Sequence, residues 1–186
     1  MKLMIQIPCF NEERTILRTL DGLPKRIPGI SKVEICVIDD GCSDNTVALA
    51  KSWGVDHIVS HKKNKGLAAA FISGLRYSLE HGADVVVNTD ADNQYPGDLI
   101  PSLVKPILTN QADVVVAERR IEEVEHFSRF KKFLQRVGSN FIALVTGSSV
   151  ADAPSGFRAF GRSAMASLNV YSSFSYTIET LFHAEQ

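Results

Sequence analysis

Short apolar runs rich in valine and isoleucine alternate along this chain with longer stretches whose apolar positions recur at helical spacing. The runs LMIQI (3–7), VEICVI (33–38), HIVS (57–60), DVVVN (84–88) and DVVVA (113–117) have the length and β-branched content of buried strands. The clearest helical stretch covers 66–80, where Leu67, Ala70, Phe71, Gly74, Leu75, Ser78 and Leu79 share one face. Strands alternating with helices predict an α/β domain, a mostly parallel central sheet flanked by helices. Ligands of such open sheets bind outside the carboxyl ends of the strands, so those ends are where chemistry is expected. The first strand leads into Pro8, Cys9, Phe10, Asn11 and Glu12, the second into Asp39, Asp40 and Gly41, the fourth into Asp90, Ala91 and Asp92, and the fifth into Glu118, Arg119 and Arg120.

The chain has 186 residues, 45% of them hydrophobic, with no repeat, low-complexity tract or Gly/Ser linker, which suits one globular domain with length enough for a core. Its 20 Lys and Arg stand against 21 Asp and Glu, a formal net charge of −1. That balance excludes the global basic field of a nucleic-acid binder and leaves anion binding to local groups. Cys9, Cys36 and Cys42 form no CxxC pair and are odd in number, the usage of reduced thiols in a cytosolic compartment. The N-terminus has too few apolar residues for a signal-peptide core, and no stretch approaches the ~20 apolar residues of a membrane span. The helical pattern of YTIETLFHAEQ still runs at Gln186, so residues 1–186 read as a domain truncated at its C-terminus.

The stretch VVVNTDADNQYPGD drives a hydrophobic strand up to two carboxylates at i and i+2. Asp90 and Asp92 at ordinary spacing repel each other by about 1 kcal/mol in water and about 4 kcal/mol near a protein surface, a cost that a divalent cation converts into attraction. An oxygen-only donor set of Asp90, Asp92 and Gln94 suits Mg²⁺ or Mn²⁺ better than Zn²⁺. The other reading of these acids is a turn, or a cap on the helix that Pro96, Gly97 and Asp98 introduce, and D-x-D alone leaves both open. Asp39 and Asp40, followed by Gly41 and by Ser43 or Asp44 as an N-cap, likewise read either as a turn or as an acceptor for a nucleoside. The five histidines show no metal-ligand spacing and receive no role. No GxGxxG follows the first strand, which argues against a dinucleotide oxidoreductase.

Taken together and in order, IPCFNEE, VIDDGCSDNT, NKGLAAAFISG, NTDADNQYPGD, VVVAERR and DAPSGFRAF resemble family 2 glycosyltransferases of the GT-A (Rossmann-like) fold over nearly the whole chain. DADNQ (90–94) and SGFR (155–158) are most similar to the dolichyl-phosphate mannosyltransferase and undecaprenyl-phosphate sugar transferase group. The resemblance implies an inverting transfer, dependent on Mg²⁺ or Mn²⁺, of a sugar from a UDP- or GDP-sugar to a polyprenyl phosphate. Transfer to a sugar hydroxyl of a polysaccharide or glycolipid is the alternative, and a non-catalytic nucleotide- or metal-binding module is an alternative of another class.

Carried over by position, the resemblance puts Pro8, Phe10 and Glu12 in the nucleoside pocket and Asp39 at the base. Phe10 departs from the tyrosine common in the group. Lys65 and the backbone from Gly66 to Ala68 meet the nucleotide or its phosphates, and Asp90 and Ala91 meet the donor. Asp92 and Gln94, with Asp90, hold the cation. Arg119 falls at the diphosphate, and Ser155 and Arg158 at the donor diphosphate or the acceptor phosphate. Asp152 is the base if the acceptor is a hydroxyl. HFSRFKKFLQRV (126–137) reads either as an interfacial helix beside an anionic lipid or as an amphipathic helix packed on its own domain. Peripheral contact at the cytosolic face of a membrane is the expectation that follows.

Overall fold

The computed structural model describes residues 1–117 and 156–168. Strand β1 (Lys2–Cys9) is followed by α1 (Ile16–Asp21), β2 (Lys32–Asp39), α2 (Thr46–Trp53), β3 (His57–Ser60), α3 (Leu67–Glu80), β4 (Val85–Asn88), a 3-10 turn (Gly97–Leu99), α4 (Ile100–Leu108), β5 (Val114–Val116), β6 (Arg158–Gly161) and α5 (Arg162–Ser167). The five strands expected from the valine-rich runs are present. Parallel pairing carries β1 and β2 on to Cys9 and Asp39, further than their apolar patterns reach.

The strands form one sheet in the order β3-β2-β1-β4-β6-β5. The first four are mutually parallel, and β6 lies antiparallel to both β4 and β5. The mostly parallel α/β expectation therefore holds, with one strand added that periodicity does not reveal. Phe157 to Gly161 contains no β-branched residue and has an arginine at the first position of β6, so it lacks the usual strand signal.

Side chains of a strand alternate between faces, and β1 is buried on both. Leu3, Ile5 and Ile7 pack with Ile16 and Leu20 of α1 and Ile100, Leu103 and Val104 of α4. Met4, on the other face, packs with Ile38, Val86, Phe71 and Leu75 of α3, and Met165 of α5. Full burial of each such aliphatic contributes about 1.5–3 kcal/mol, so the two layers hold the strand ends rigidly in place. Helix α3 approaches β1 closely at Gly74, where an added Cβ would run into Gln6 Oε1. No helix among the described residues is long and apolar enough to cross a membrane.

At the opposite, amino end of the sheet a charged cluster closes the core. Glu34 is buried on β2 and meets Lys2 Nζ at 2.6 Å, Lys32 Nζ at 2.5 Å and His57 Nε2 at 2.8 Å. Burial by itself would raise the Glu34 carboxyl, but hydrogen bonds from Lys2, Lys32 and His57 override it and hold the group at about 2. Because the folded value lies below the ordinary 4.5, this contribution is complete above about pH 4.5 and is lost as pH falls toward 2. With the exposed Lys32 side of the cluster screened by solvent, Glu34→Gln is expected to lose on the order of 1–3 kcal/mol at neutral pH and to flatten the acid limb of the stability curve across that window. Urea unfolding at stepped pH checks this, and parallel acid limbs for the two proteins would refute it.

Candidate active site

The chain steps from β1 to β2 to β3 in one direction across the sheet, and β4 then returns to the other side of β1. The order therefore reverses between β1 and β4, and the crevice beyond their carboxyl ends is where ligands of open α/β sheets bind. A cleft of about 360 Å³ opens there, with Pro8, Cys9, Phe10 and Glu12 on one wall and Asp90, Ala91 and Asp92 on the other. Asp40, Asn64, Leu67 and Ala70 complete it. Six of the predicted site residues, Pro8, Phe10, Glu12, Asp90, Ala91 and Asp92, thus share one cavity. Asp39, Lys65, Gly66, Ala68 and Gln94 lie on adjoining segments outside its wall.

The first wall is a loop held by the loop after β2. Asn11 sits in the left-handed region at φ 59°, and its Oδ1 accepts the Ser43 N–H at 2.8 Å. Glu12 N–H donates to Thr46 Oγ1 at 2.8 Å, and Glu13 N–H to Asp44 Oδ2 at 3.1 Å. Asp44 in turn accepts the Thr46 N–H at 3.0 Å in a local turn before α2, whose N-cap is Asn45 rather than the expected Ser43 or Asp44. The FNEE and CSDNT motifs are therefore one stitched unit. It leaves Phe10 48% exposed, an unusual placement for a large aromatic unless it has a ligand to cover.

Asp39 and Asp40 divide their work. Adjacent residues at a strand end point to opposite sides. Asp39 Oδ1 accepts the Cys42 N–H at 2.8 Å and closes the turn at Gly41, whose φ of 78° and contact with the Lys63–Asn64 backbone admit no side chain. Asp40, buried on the α3 side, accepts the N–H groups of Lys65 at 2.9 Å and Gly66 at 2.8 Å. Sequence reasoning assigned Asp39 and passed over Asp40. The signal was the unassigned second member of the pair.

The second wall follows β4. Thr89 N–H donates to Gln6 O at 3.1 Å, and the buried Ala91 carbonyl accepts Thr19 Oγ1 at 2.8 Å, so the backbone on either side of Asp90 is anchored. Asp92 Oδ1 accepts the Gln94 N–H at 3.0 Å around Asn93, which is left-handed at φ 60°. Neither Asp90 nor Asp92 caps the following turn, whose N-cap is Pro96 with no side-chain hydrogen bond. Of the reading as a cap or a turn, the cap is corrected and the turn is present: Asp92 forms it and also faces the cleft. Gln94 is exposed.

Among the described residues no three His, Cys, Asp or Glu side chains converge to hold a metal on their own. Two half-buried carboxylates at a cleft wall instead fit a hard cation that draws its remaining oxygen ligands from a bound phosphate.

The SGFR segment meets the acidic one. Asn88 Nδ2 donates to Gly156 O at 2.9 Å, and Tyr95 stacks on Phe157 with centroids 5.0 Å apart. Arg158 is no surface arginine: it is fully buried in β6, paired in register with Asn88 and Val116. Arg119, Asp152, Ser155 and the stretch 126–137 lie outside the described residues.

Residues 4–168 match the family model described as Glycosyl transferase family 2. The chain is 32% identical over 178 residues to a UDP-N-acetylglucosamine–dolichyl-phosphate N-acetylglucosaminyltransferase of Methanococcus voltae, covering 86% of this chain and 69% of the relative. It is 28% identical over 166 residues to an undecaprenyl-phosphate mannosyltransferase of Micrococcus luteus, covering 86% and 66%. Among solved structures it resembles glucosyl-3-phosphoglycerate synthase of Mycobacterium tuberculosis in complex with Mn²⁺, UDP and phosphoglyceric acid. There the TM-score is 0.69 at 24% identity, covering 90% of this chain and 58% of that one, a likeness of fold.

Proposed function

The chain belongs to glycosyl transferase family 2 and is a glycosyltransferase, and on that premise we propose that it moves a sugar, with inversion, from a UDP- or GDP-sugar to a polyprenyl phosphate. One observation carries the reading: a single cleft at the β1/β4 switch point joins an exposed aromatic and Glu12 to a pair of carboxylates. That is the order of chemistry along a nucleotide-sugar, from base through ribose to diphosphate. The lipid-phosphate acceptors in the names of the Methanococcus and Micrococcus relatives support the choice of acceptor.

In this reading Pro8 and Phe10 flank the base, Glu12 accepts hydrogen bonds from ribose hydroxyls, and Asp39 serves the base edge. Lys65 and Arg119 face the phosphates, where a guanidinium forks onto two oxygens at once. Asp90 and Asp92, with Gln94, would hold Mg²⁺ or Mn²⁺, which supplies neutralisation of the charge that grows on the departing nucleoside diphosphate. Ala91 and the backbone from Gly66 to Ala68 allow close approach of the donor. Ser155 serves the donor diphosphate or the acceptor phosphate, whereas Arg158, fully buried in β6 and outside the cleft wall, is withdrawn from substrate contact and left to hold the SGFR segment in the sheet. A lipid phosphate is already an anion at neutral pH and attacks the anomeric carbon without a base, leaving Asp152 needed only for a hydroxyl acceptor. The acceptor also brings the enzyme to the cytosolic face of a membrane, with residues 126–137 as the contact.

The test supplies UDP- and GDP-sugars with Mn²⁺ and either polyprenyl phosphate or soluble sugar acceptors. Metal-dependent label in the lipid extract is expected. Turnover with soluble acceptors alone would overturn the lipid reading, and its abolition by Asp152→Asn would assign the hydroxyl chemistry instead.

A further inference from the structure

His61 lies at the end of β3, where its N–H donates to Asp39 O at 2.8 Å and its ring turns inward. The imidazole side chain is only 6% exposed and its partner carboxylate, Asp40, 4%. Ring Nδ1 stands 2.6 Å from Asp40 Oδ1, and Nε2 stands 2.9 Å from Ser73 Oγ on α3. The same Asp40 carboxylate holds the Lys65 and Gly66 N–H groups at 2.9 and 2.8 Å. Those two amides precede the first turn of α3 and have no helical acceptor of their own. The Lys62, Lys63, Asn64 and Lys65 side chains around them are exposed, and besides the Asp40 bonds the loop is restrained by the packing of the Lys63–Asn64 backbone on Gly41.

We propose that His61 is a positioning residue for the donor: with Ser73 it locks the Asp40 carboxylate in the rotamer that pins the Lys65–Gly66 backbone against the cleft. The hydrogen-bond order Asp40–His61–Ser73 is also that of a nucleophilic triad, but the geometry favours a brace. Ser73 sits inside α3, where the backbone N–H groups are committed to the helix and none is left to stabilise an oxyanion. Asp40 directs its other oxygen to a loop amide, and both partners of the imidazole suit a ring held still. With Asp40 ionised, Nδ1 donates to it and Nε2 accepts from the Ser73 hydroxyl. Without the ring, the carboxylate is free to rotate away from Gly66, and Lys65 loses its fixed approach to the cleft. The consequence for donor affinity rests on the nucleotide-sugar reading above, whereas the order of the loop does not.

The experiment compares wild type with His61→Ala, His61→Asn and His61→Gln. Asn places an amide nitrogen where Nδ1 stands and keeps the Asp40 bond, whereas Gln reaches only toward Ser73. Two readouts are taken: hydrogen exchange at the Lys65 and Gly66 amides, and the affinity of UDP and GDP with Mn²⁺. Expected for His61→Ala and His61→Gln is exchange at those amides at least 10-fold faster and nucleotide affinity about 10-fold weaker, with His61→Asn near wild type on both. Unchanged exchange in His61→Ala, or Asn no better than Ala, overturns the proposal. If neither nucleotide binds wild type, the donor reading fails and takes the affinity claim with it, while the exchange data still decide whether the brace exists. Should His61→Ala fail to fold, the contrast between Asn and Gln carries the decision.

Discussion

Asp92→Asn is expected to lower the rate of sugar transfer by on the order of 10²- to 10³-fold, the usual effect of removing a group placed to serve charge developing in a transition state. The substitution is chosen to leave the structure intact. Asp92 Oδ1 accepts the Gln94 N–H at 3.0 Å, and the Asn carbonyl oxygen accepts the same bond. The side chain is half-buried at the cleft wall, so the isosteric amide leaves no cavity. What disappears is one unit of negative charge beside Asp90. A hard cation discriminates strongly between carboxylate and amide. The Mn²⁺ concentration needed for half-maximal rate should therefore rise at least tenfold, while the unfolding midpoint stays within a few degrees. An unaltered Mn²⁺ dependence would show that the acidic pair serves another purpose.

Asp40→Ala is expected to be the most damaging change to stability among the site residues. It leaves the Lys65 and Gly66 amides and the buried His61 ring without their acceptor. At about 1–3 kcal/mol for each stranded group, offset where loop amides reach water, the loss is roughly 3–5 kcal/mol. For a chain of this size that corresponds to about 6–20 °C in unfolding temperature. Asp39→Asn is the control. Its local bond from the Cys42 N–H is kept by the amide oxygen, so stability should change by less than about 1 kcal/mol. Nucleotide affinity should fall instead if Asp39 meets the base. Thermal unfolding of both variants, read beside UDP and GDP binding, separates the two roles. Equal loss of stability from both would remove the distinction between the neighbouring acids.

Much of this architecture is visible along the chain because the central parallel strands β1, β2 and β4 are buried on both faces and so appear as largely apolar runs. β3 coincides with HIVS, and α3 begins one residue after the expected Gly66, which is its N-cap at φ 92°. The added strand β6 is invisible for the complementary reason. FRAFG takes its place from pairing with β4 and β5, a long-range effect that leaves no local period. The same holds for Arg158, whose residue type suggests a surface and whose strand buries it completely. Glu34 is another case, since only the fold brings Lys2, Lys32 and His57 around it.

Local covalent order by itself determined the existence of β1 to β5, with ends good to a residue or two, and that polar chemistry follows most of those ends, because periodicity and turn chemistry act within a few residues. It also determined the motif set by which the family is recognised, including the D-x-D pair. Only the tertiary structure decided that the β1 and β4 ends face one cleft, because strand order is set by packing between segments some 80 residues apart. It also decided which of two adjacent acids pins the loop before α3, since opposite sides of a strand end meet different elements. His61, silent in the sequence, acquires its partners the same way: Asp40 lies 21 residues before it and Ser73 12 residues after.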